Sequence, residues 1–177
     1  VPPGTQTDFE ALLGDAFPDT AFFLVDGGRE RQESVENALE TIDNAAEIVV
    51  IHDAARPFIS QTSVQASIDA AEEFGAATVA IPCSDTILVA GADDILADTP
   101  DRSCLWACQT PQTFRVDVIR QAHQHARAQC FAPTDDATLV RQMGGTVKLV
   151  MGSPFNFKVT TPEDLMLAEA IVAKGFV

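Results

Sequence analysis

Apolar residues fall along the chain in two alternating rhythms. Short runs rich in β-branched and aromatic residues, at 21–27 (AFFLVDG), 47–53 (EIVVIHD), 77–82 (ATVAIP), 85–90 (DTILVA), 103–111 (SCLWACQTP) and 146–152 (TVKLVMG), read as strands. Between them the spacing lengthens to that of a helix, at 7–17, 31–42, 60–75, 115–129, 134–144 and 161–175. Thr161 stands where a helix N-cap belongs, with Pro162 at the first helical position and acids behind it, and Gly175 closes the same segment. Alternation of strand and helix predicts βαβ crossovers, hence an α/β fold with a Rossmann-like, mostly parallel sheet covered by helices on both faces. One region breaks the rhythm. Residues 83–104 hold strand pieces around Gly91-Ala92-Asp93-Asp94, which is hairpin chemistry in place of a crossover helix. A hairpin leaving an α/β sheet exposes its edges, so this segment is expected to be a β-arm that pairs two copies of the chain.

Composition narrows the classes of partner. With 177 residues, 46% of them hydrophobic, the chain suffices for one domain spanning 1–177 with a real core. Its net charge of −15, from 26 acids against 11 bases, argues against a sequence-independent grip on nucleic acid. Any anionic ligand must therefore be met by a few placed cations. No run approaches the ~18 apolar residues of a membrane span, and no signal-peptide pattern is present, so neither membrane nor secretion is expected. Cys83, Cys104, Cys108 and Cys130 form no C-x-x-C pair and read as reduced thiols.

Ligands of open α/β sheets sit beyond the carboxyl ends of the strands, so the polar residues there are the candidates. Gly27-Gly28 with Ser34 follows the run 21–27, although a turn and a helix cap explain them equally well. In HDAARP, Asp53 suits a divalent cation or a ribose hydroxyl and Arg56 suits phosphate, with a local Asp–Arg ion pair as the plainer alternative. Thr86, Arg102, Thr110 and Thr134 add hydroxyls and a guanidinium at other loops, Thr134 being equally readable as an N-cap. Lys158, one of only three lysines, lies between Phe157 and Val159 in a β-like piece. It is either an inward functional cation or an outward edge residue, and periodicity does not choose.

The set taken in order does choose. DGG with R-x-x-S-V, then HDAARPF, DR-x-x-L-W-x-x-QTPQ-x-F, TDDA and N-x-K-x-T-x-P-E-D-L resembles the 2-C-methyl-D-erythritol 4-phosphate cytidylyltransferases of the non-mevalonate isoprenoid pathway. The resemblance implies the nucleotide-diphospho-sugar transferase fold, a homodimer joined through the 83–104 arm, and Mg²⁺-assisted reaction of CTP with methylerythritol phosphate. It implies that Gly28 and Ser34 recognise cytosine and that Asp53 serves ribose and metal. Arg56, Thr86, Arg102, Thr110 and Thr134 would surround the methylerythritol phosphate, and Lys158 would lie beside the reacting phosphates. Lys158 and Arg102 are the candidate catalytic residues, with Thr86 and Arg102 serving the partner's site and Asp85 and Asp135 in support. The setting implied is the bacterial cytoplasm, or the plastid stroma in a plant or alga. Ribitol 5-phosphate transfer on the same fold, or a non-catalytic interaction module, are the competing readings. The family's glycine-rich loop, which carries an arginine and a lysine and cradles the CTP phosphates, has no match here. The domain is therefore expected to be N-terminally incomplete, to lack a sheet strand, and alone to transfer no cytidylyl group.

Overall fold

The computed structural model describes residues 1–129, 131 and 133–176. Along the chain run α1 (Gln6–Ala16), α2 (Arg31–Thr41), β1 (Ile48–Ile51), α3 (Gln61–Phe74), β2 (Ala76–Pro82), β3 (Val89–Ala90), β4 (Leu96–Asp98), β5 (Trp106–Arg115), α4 (Val116–Ala128), α5 (Asp136–Gln142), β6 (Lys148–Met151) and α6 (Pro162–Lys174). Each helical segment expected from the apolar spacing is present. The strands differ in three places, one being the expected run 85–90, of which only Val89–Ala90 is strand. Residues 21–27 join no sheet: Phe23 is 90% exposed, and among the described residues the only ladder-like bonds are those that Val25 and Gly27 make with Val1. Apolar character alone does not make a strand where a neighbouring backbone is not in register to pair with it. The segment around Lys158 is likewise a turn and coil, not a β-strand.

The main sheet has the order β1-β5-β2-β6. Strands β1, β2 and β6 run in one direction and β5 runs against β1 and β2, so the sheet is mixed. The arm is the reason. Instead of a crossover helix, residues 83–105 form an excursion that leaves β2 and returns beside it as β5, with Pro82 opposite Trp106 and Cys83 N–H donating to Leu105 O at 3.0 Å. A direct return of this kind gives antiparallel neighbours, whereas a parallel pair needs a crossover. At the arm's tip β3 and β4 pair across Gly91–Ile95, where Asp93 and Asp94 adopt left-handed backbone with φ of 56° and 58°.

The core lies between the sheet and α4, α5 and the end of α2, where Leu39, Ala76, Phe114, Ile119, Ala122, Ala126, Leu139 and Val140 are buried together. Helix α3 covers the sheet with small residues, Ser63, Ser67 and Ala71. Ser67 Oγ meets Thr113 Oγ1 at 2.8 Å, a contact that holds helix and sheet close. The helix is bounded by the Ser60 cap and by Gly75 at φ 88°, a backbone state that glycine adopts without Cβ strain. Helix α6 begins at the N-cap foreseen at Thr161, which the structure completes as a capping box in which Asp164 accepts from the Thr161 N–H, and from that of Thr160, at 2.9 Å each. Those backbone donors, with the Thr160 hydroxyl, hold the Asp164 carboxyl down at about 2. Among the described residues Cys83, Cys104 and Cys108 form no disulfide; Cys130 lies outside the described residues.

Candidate active site at the strand ends

Strand β1 ends at Ile51, and the chain turns sharply through His52–Arg56, with Arg56 N–H donating to Asp53 O at 2.9 Å. His52 braces this turn. Its Nε2 donates to Arg56 O at 2.9 Å, which makes Nδ1 the acceptor for the Thr110 hydroxyl at 3.0 Å. Thr110 Oγ1 in turn accepts from Asp53 N–H at 3.0 Å, so each polar atom has one consistent partner. Neighbouring strands β1 and β5 thereby fix the position of the Asp53 backbone.

The coil after β6 is docked on the same place by Asn156, which is 1% exposed. Its Nδ2 donates to Thr110 O at 2.8 Å and Gln109 Oε1 at 3.2 Å, while Val159 N–H donates to Ala55 O at 2.8 Å. Asn156 and Lys158 therefore both face β5 and Asp53, and Phe157 turns the other way to pack on Phe58, ring centroids 5.8 Å apart. Lys158 Nζ lies 3.3 Å from Asp53 Oδ2. Arg56 Nε lies at the same distance from the same oxygen, and its Nη1 donates to Asn156 O at 2.8 Å. The Asp53–Arg56 pair proposed as the plainer reading of HDAARP does exist, but both members line a cavity.

That cavity, about 230 Å³, is lined by Arg31, Asp53, Arg56, Cys108, Gln109, Thr110, Gln112, Thr134, Asp135 and Lys158. Burial by itself would push the Asp53 carboxyl up. Lys158, by charge and hydrogen bond, then Arg31 and Arg56 outweigh it and hold Asp53 below the ordinary carboxylate range. Asp53 is therefore an anion through neutral pH, and its pairing is lost only as pH falls through that lowered value. A larger hollow of about 790 Å³ on the outer side of α3 offers one carboxylate, Asp69, among apolar and neutral residues, and no convergent charge.

Six of the residues singled out in the sequence thus meet in one place: Asp53, Arg56, Thr110, Thr134, Asp135 and Lys158. Thr134 is not the N-cap of α5. Asp135 takes that role, accepting from Thr138 N–H at 3.1 Å, which leaves the Thr134 side chain at the cavity wall. Gly28 and Ser34 lie beside the cavity without lining it. Ser34 Oγ accepts from Gly28 N–H at 3.0 Å, and a Cβ on Gly28 would fall 2.2 Å from Glu33 Cβ, so the glycine is required by the start of α2 itself. Thr86 and Arg102 lie on the arm, away from this chain's cavity; Arg102 is exposed and donates to Ser84 O at 2.6 Å.

Sequence reasoning passed over Arg31 and Gln112. Gln112, fully buried in β5, accepts on Oε1 from Asp136 N–H at 3.0 Å and Ala137 N–H at 3.3 Å. Its Nε2 donates to Asp135 Oδ2 at 2.8 Å, Thr78 Oγ1 at 3.1 Å and Cys108 Sγ at 3.3 Å. It ties the first turn of α5 to the sheet. The R-x-x-S-V spacing was the available signal for Arg31, since it sets that arginine one turn ahead of Ser34 at the mouth of the site.

Cys108 opens to solvent at the cavity wall, yet burial of its sulfur, then the Asp135 charge, raises its thiol pKa against an opposing bond from Thr78. Cys108 is expected to alkylate more slowly with iodoacetamide at about pH 8 than Cys104, which is exposed on the arm. Peptide mass spectrometry over a time course checks the order.

Comparison with known proteins places these residues in context. Residues 1–174 match the family model for IspD, 2-C-methyl-D-erythritol 4-phosphate cytidylyltransferase. The chain is 45% identical over 173 residues to the 2-C-methyl-D-erythritol 4-phosphate cytidylyltransferase of Caldanaerobacter subterraneus subsp. tengcongensis, covering 98% of this chain and 76% of the relative. Against the Bacillus licheniformis enzyme of the same name it is 45% identical over 165 residues, covering 93% and 71%. Among solved structures, 4-diphosphocytidyl-2C-methyl-D-erythritol synthase from Anaerococcus prevotii superposes with a TM-score of 0.85 at 30% identity, over 94% of this chain and 78% of that one. The Thermus thermophilus 2-C-methyl-D-erythritol 4-phosphate cytidylyltransferase gives 0.77 at 35% identity, over 88% and 78%.

Proposed function

Because the chain belongs to the 2-C-methyl-D-erythritol 4-phosphate cytidylyltransferase family, we propose that the cavity around Asp53 is where its two phosphorylated substrates meet. The protein is a nucleotidyltransferase of isoprenoid precursor synthesis, making 4-diphosphocytidyl-2-C-methyl-D-erythritol from CTP and methylerythritol phosphate. In the reaction a phosphate monoester oxygen of methylerythritol phosphate forms a bond to the α-phosphorus of CTP. The bond from that phosphorus to the β-phosphate bridging oxygen breaks, and pyrophosphate leaves with the electron pair. Anions are brought together and no side-chain nucleophile is required, so alignment and charge neutralisation supply the rate.

One observation carries the assignment of roles: cations from three separate segments, Arg31, Arg56 and Lys158, converge on the single carboxylate of Asp53. In a chain of net charge −15 such a cluster is a place suited to receive phosphates. Arg56, Thr110 and Thr134 would hold the methylerythritol phosphate, and Lys158 would sit at the transferring phosphoryl group. Gly28 and Ser34, at the head of α2, would meet the cytosine. A divalent cation fits the donor set, since Mg²⁺ is commonly held by one or two carboxylates plus substrate phosphates, and Asp53 offers the carboxylate. When bound, the ion would offset charge on the triphosphate.

The arm supports a homodimer. Ile87, Leu88, Val89, Ile95 and Leu96 are exposed along it, an apolar surface that a second copy would cover. Thr86 and Arg102 would then reach the partner's cavity. No described helix is long and apolar enough to cross a membrane. We assign the reaction to the cytoplasm from the bacterial relatives alone.

The function is tested by incubating the protein with CTP, Mg²⁺ and methylerythritol phosphate, or ribitol 5-phosphate in its place. Pyrophosphate release and the cytidylylated alcohol are followed by ³¹P NMR. In the form that turns over, product is expected with methylerythritol phosphate, and preference for ribitol 5-phosphate would overturn the assignment. The expected share of the glycine-rich loop in CTP binding is tested by running the same assay on these 177 residues and on the reading frame extended upstream. Variants are best made in the form that turns over.

A further inference from the structure

Asp53 presents two oxygens, and its three cations divide between them. Arg56 and Lys158 both reach Oδ2, whereas Arg31 alone among the described charged groups reaches Oδ1, with Nε at 3.8 Å. The three differ in what else holds them. Lys158 is nearly half exposed and has no second ion pair among the described residues. Arg31 Nη1 is anchored at 2.5 Å on Oδ2 of Asp136, a carboxylate only 1% exposed in the first turn of α5. Asp136 is itself immobilised, its N–H bonded to Gln112 Oε1 at 3.0 Å. His123 Nε2 stands 3.4 Å from its other oxygen without hydrogen-bond alignment. A buried carboxylate left without its partner is costly, so the Arg31–Asp136 link resists being broken.

Taking the reading above as the premise, we propose that Arg31 is a positioning residue that keeps Asp53 aimed at the nucleotide while Lys158 and Arg56 turn to the phosphates. Arriving phosphates compete with Asp53 for its cations, and the lysine is the easiest to recruit. Arg31 is tied to a separate buried anion, and the planar geometry of its guanidinium fixes Nε once Nη1 is held. Through it the start of α2, beside Gly28 and Ser34, is linked to the start of α5, beside Thr134. Its loss should therefore act on CTP more than on the alcohol phosphate.

Arg31→Gln is expected to raise the KM for CTP about 10-fold or more while the KM for methylerythritol phosphate stays within about 3-fold. The same variant strands Asp136, so folding is controlled by the pair Arg31→Gln with Asp136→Asn, which removes both charges. The double variant should regain most of any lost melting temperature and keep the raised KM for CTP. Arg31→Lys retains a charge near Asp136 but not the fork, and it too should fold and show the CTP defect. A double variant with wild-type KM for CTP would reduce Arg31 to a counter-ion for Asp136. Wild-type behaviour of Arg31→Lys, or equal shifts in both KM values, would also overturn the proposal. Turnover by the unsubstituted protein reports on the activity itself, and the ratio of each variant to it reports on Arg31.

Discussion

Lys158→Ala is expected to lower turnover by about 10²-fold or more with the fold intact, since a cation at the transferring phosphoryl group acts where charge develops. The fold should persist because the lysine buries little: its side chain is nearly half exposed, and Asp53 keeps Arg56 and Arg31 when it is gone. The surrounding coil is held by Asn156 and by the Val159–Ala55 backbone bond, neither of which involves the ammonium. Lys174, at the last turn of α6, is the matched control, and Lys174→Ala should be nearly silent. Circular dichroism and steady-state rates on both variants decide the matter. A loss of only a few-fold at Lys158 would make it a surface partner of Asp53 and remove it from the chemistry.

Trans complementation is the second large effect. Arg102 lies on the arm away from its own cavity, so Arg102→Ala and Lys158→Ala chains should each be nearly inactive alone. In a two-fold dimer whose arms complete each other's sites, a mixed pair contains one site with both residues and one with neither. Random exchange of equal amounts should therefore restore about a quarter of the wild-type rate. Exchange is verified by mass or by distinct tags before the rate is read. Absence of recovery after verified exchange would put Arg102 outside the partner's site.

The helices were legible from the sequence by their apolar spacing, and two of them also by their punctuation. Ser60 and Gly75 bound α3, and Thr161, Pro162 and Gly175 bound α6, at the positions where the structure begins and ends them. The sheet was less legible. Strand character at 21–27 was read from apolar content, but a strand exists only where another backbone accepts its bonds, and that is decided by distant residues. The direction of β5 followed from recognising 83–104 as an excursion, whose consequence for strand direction was not drawn from composition. In the site, residue type at loops made Asp53, Arg56, Thr110, Thr134 and Lys158 candidates, the resemblance of the ordered motifs chose them, and they do share one cavity. Lys158 could not be oriented by periodicity because its segment is coil, and Asn156 turns it inward. Arg31 escaped notice because its importance lies in a partner 105 positions away, the buried Asp136.

Gln112 has a consequence for how freely this part of the chain can vary. Its amide nitrogen shares two hydrogens among three acceptors, one of them a carboxylate, while its oxygen takes two backbone N–H groups of α5. Glutamate would present a second negative charge to Asp135 and lose every donor. Asparagine is one methylene short of both ends, lysine and arginine accept nothing, and an apolar residue would leave two buried N–H groups without their acceptor and Asp135 Oδ2 without its amide donor. In a sequence library of β5, the outer residues of the strand can drift, whereas this position admits one functional group on a stem of one length.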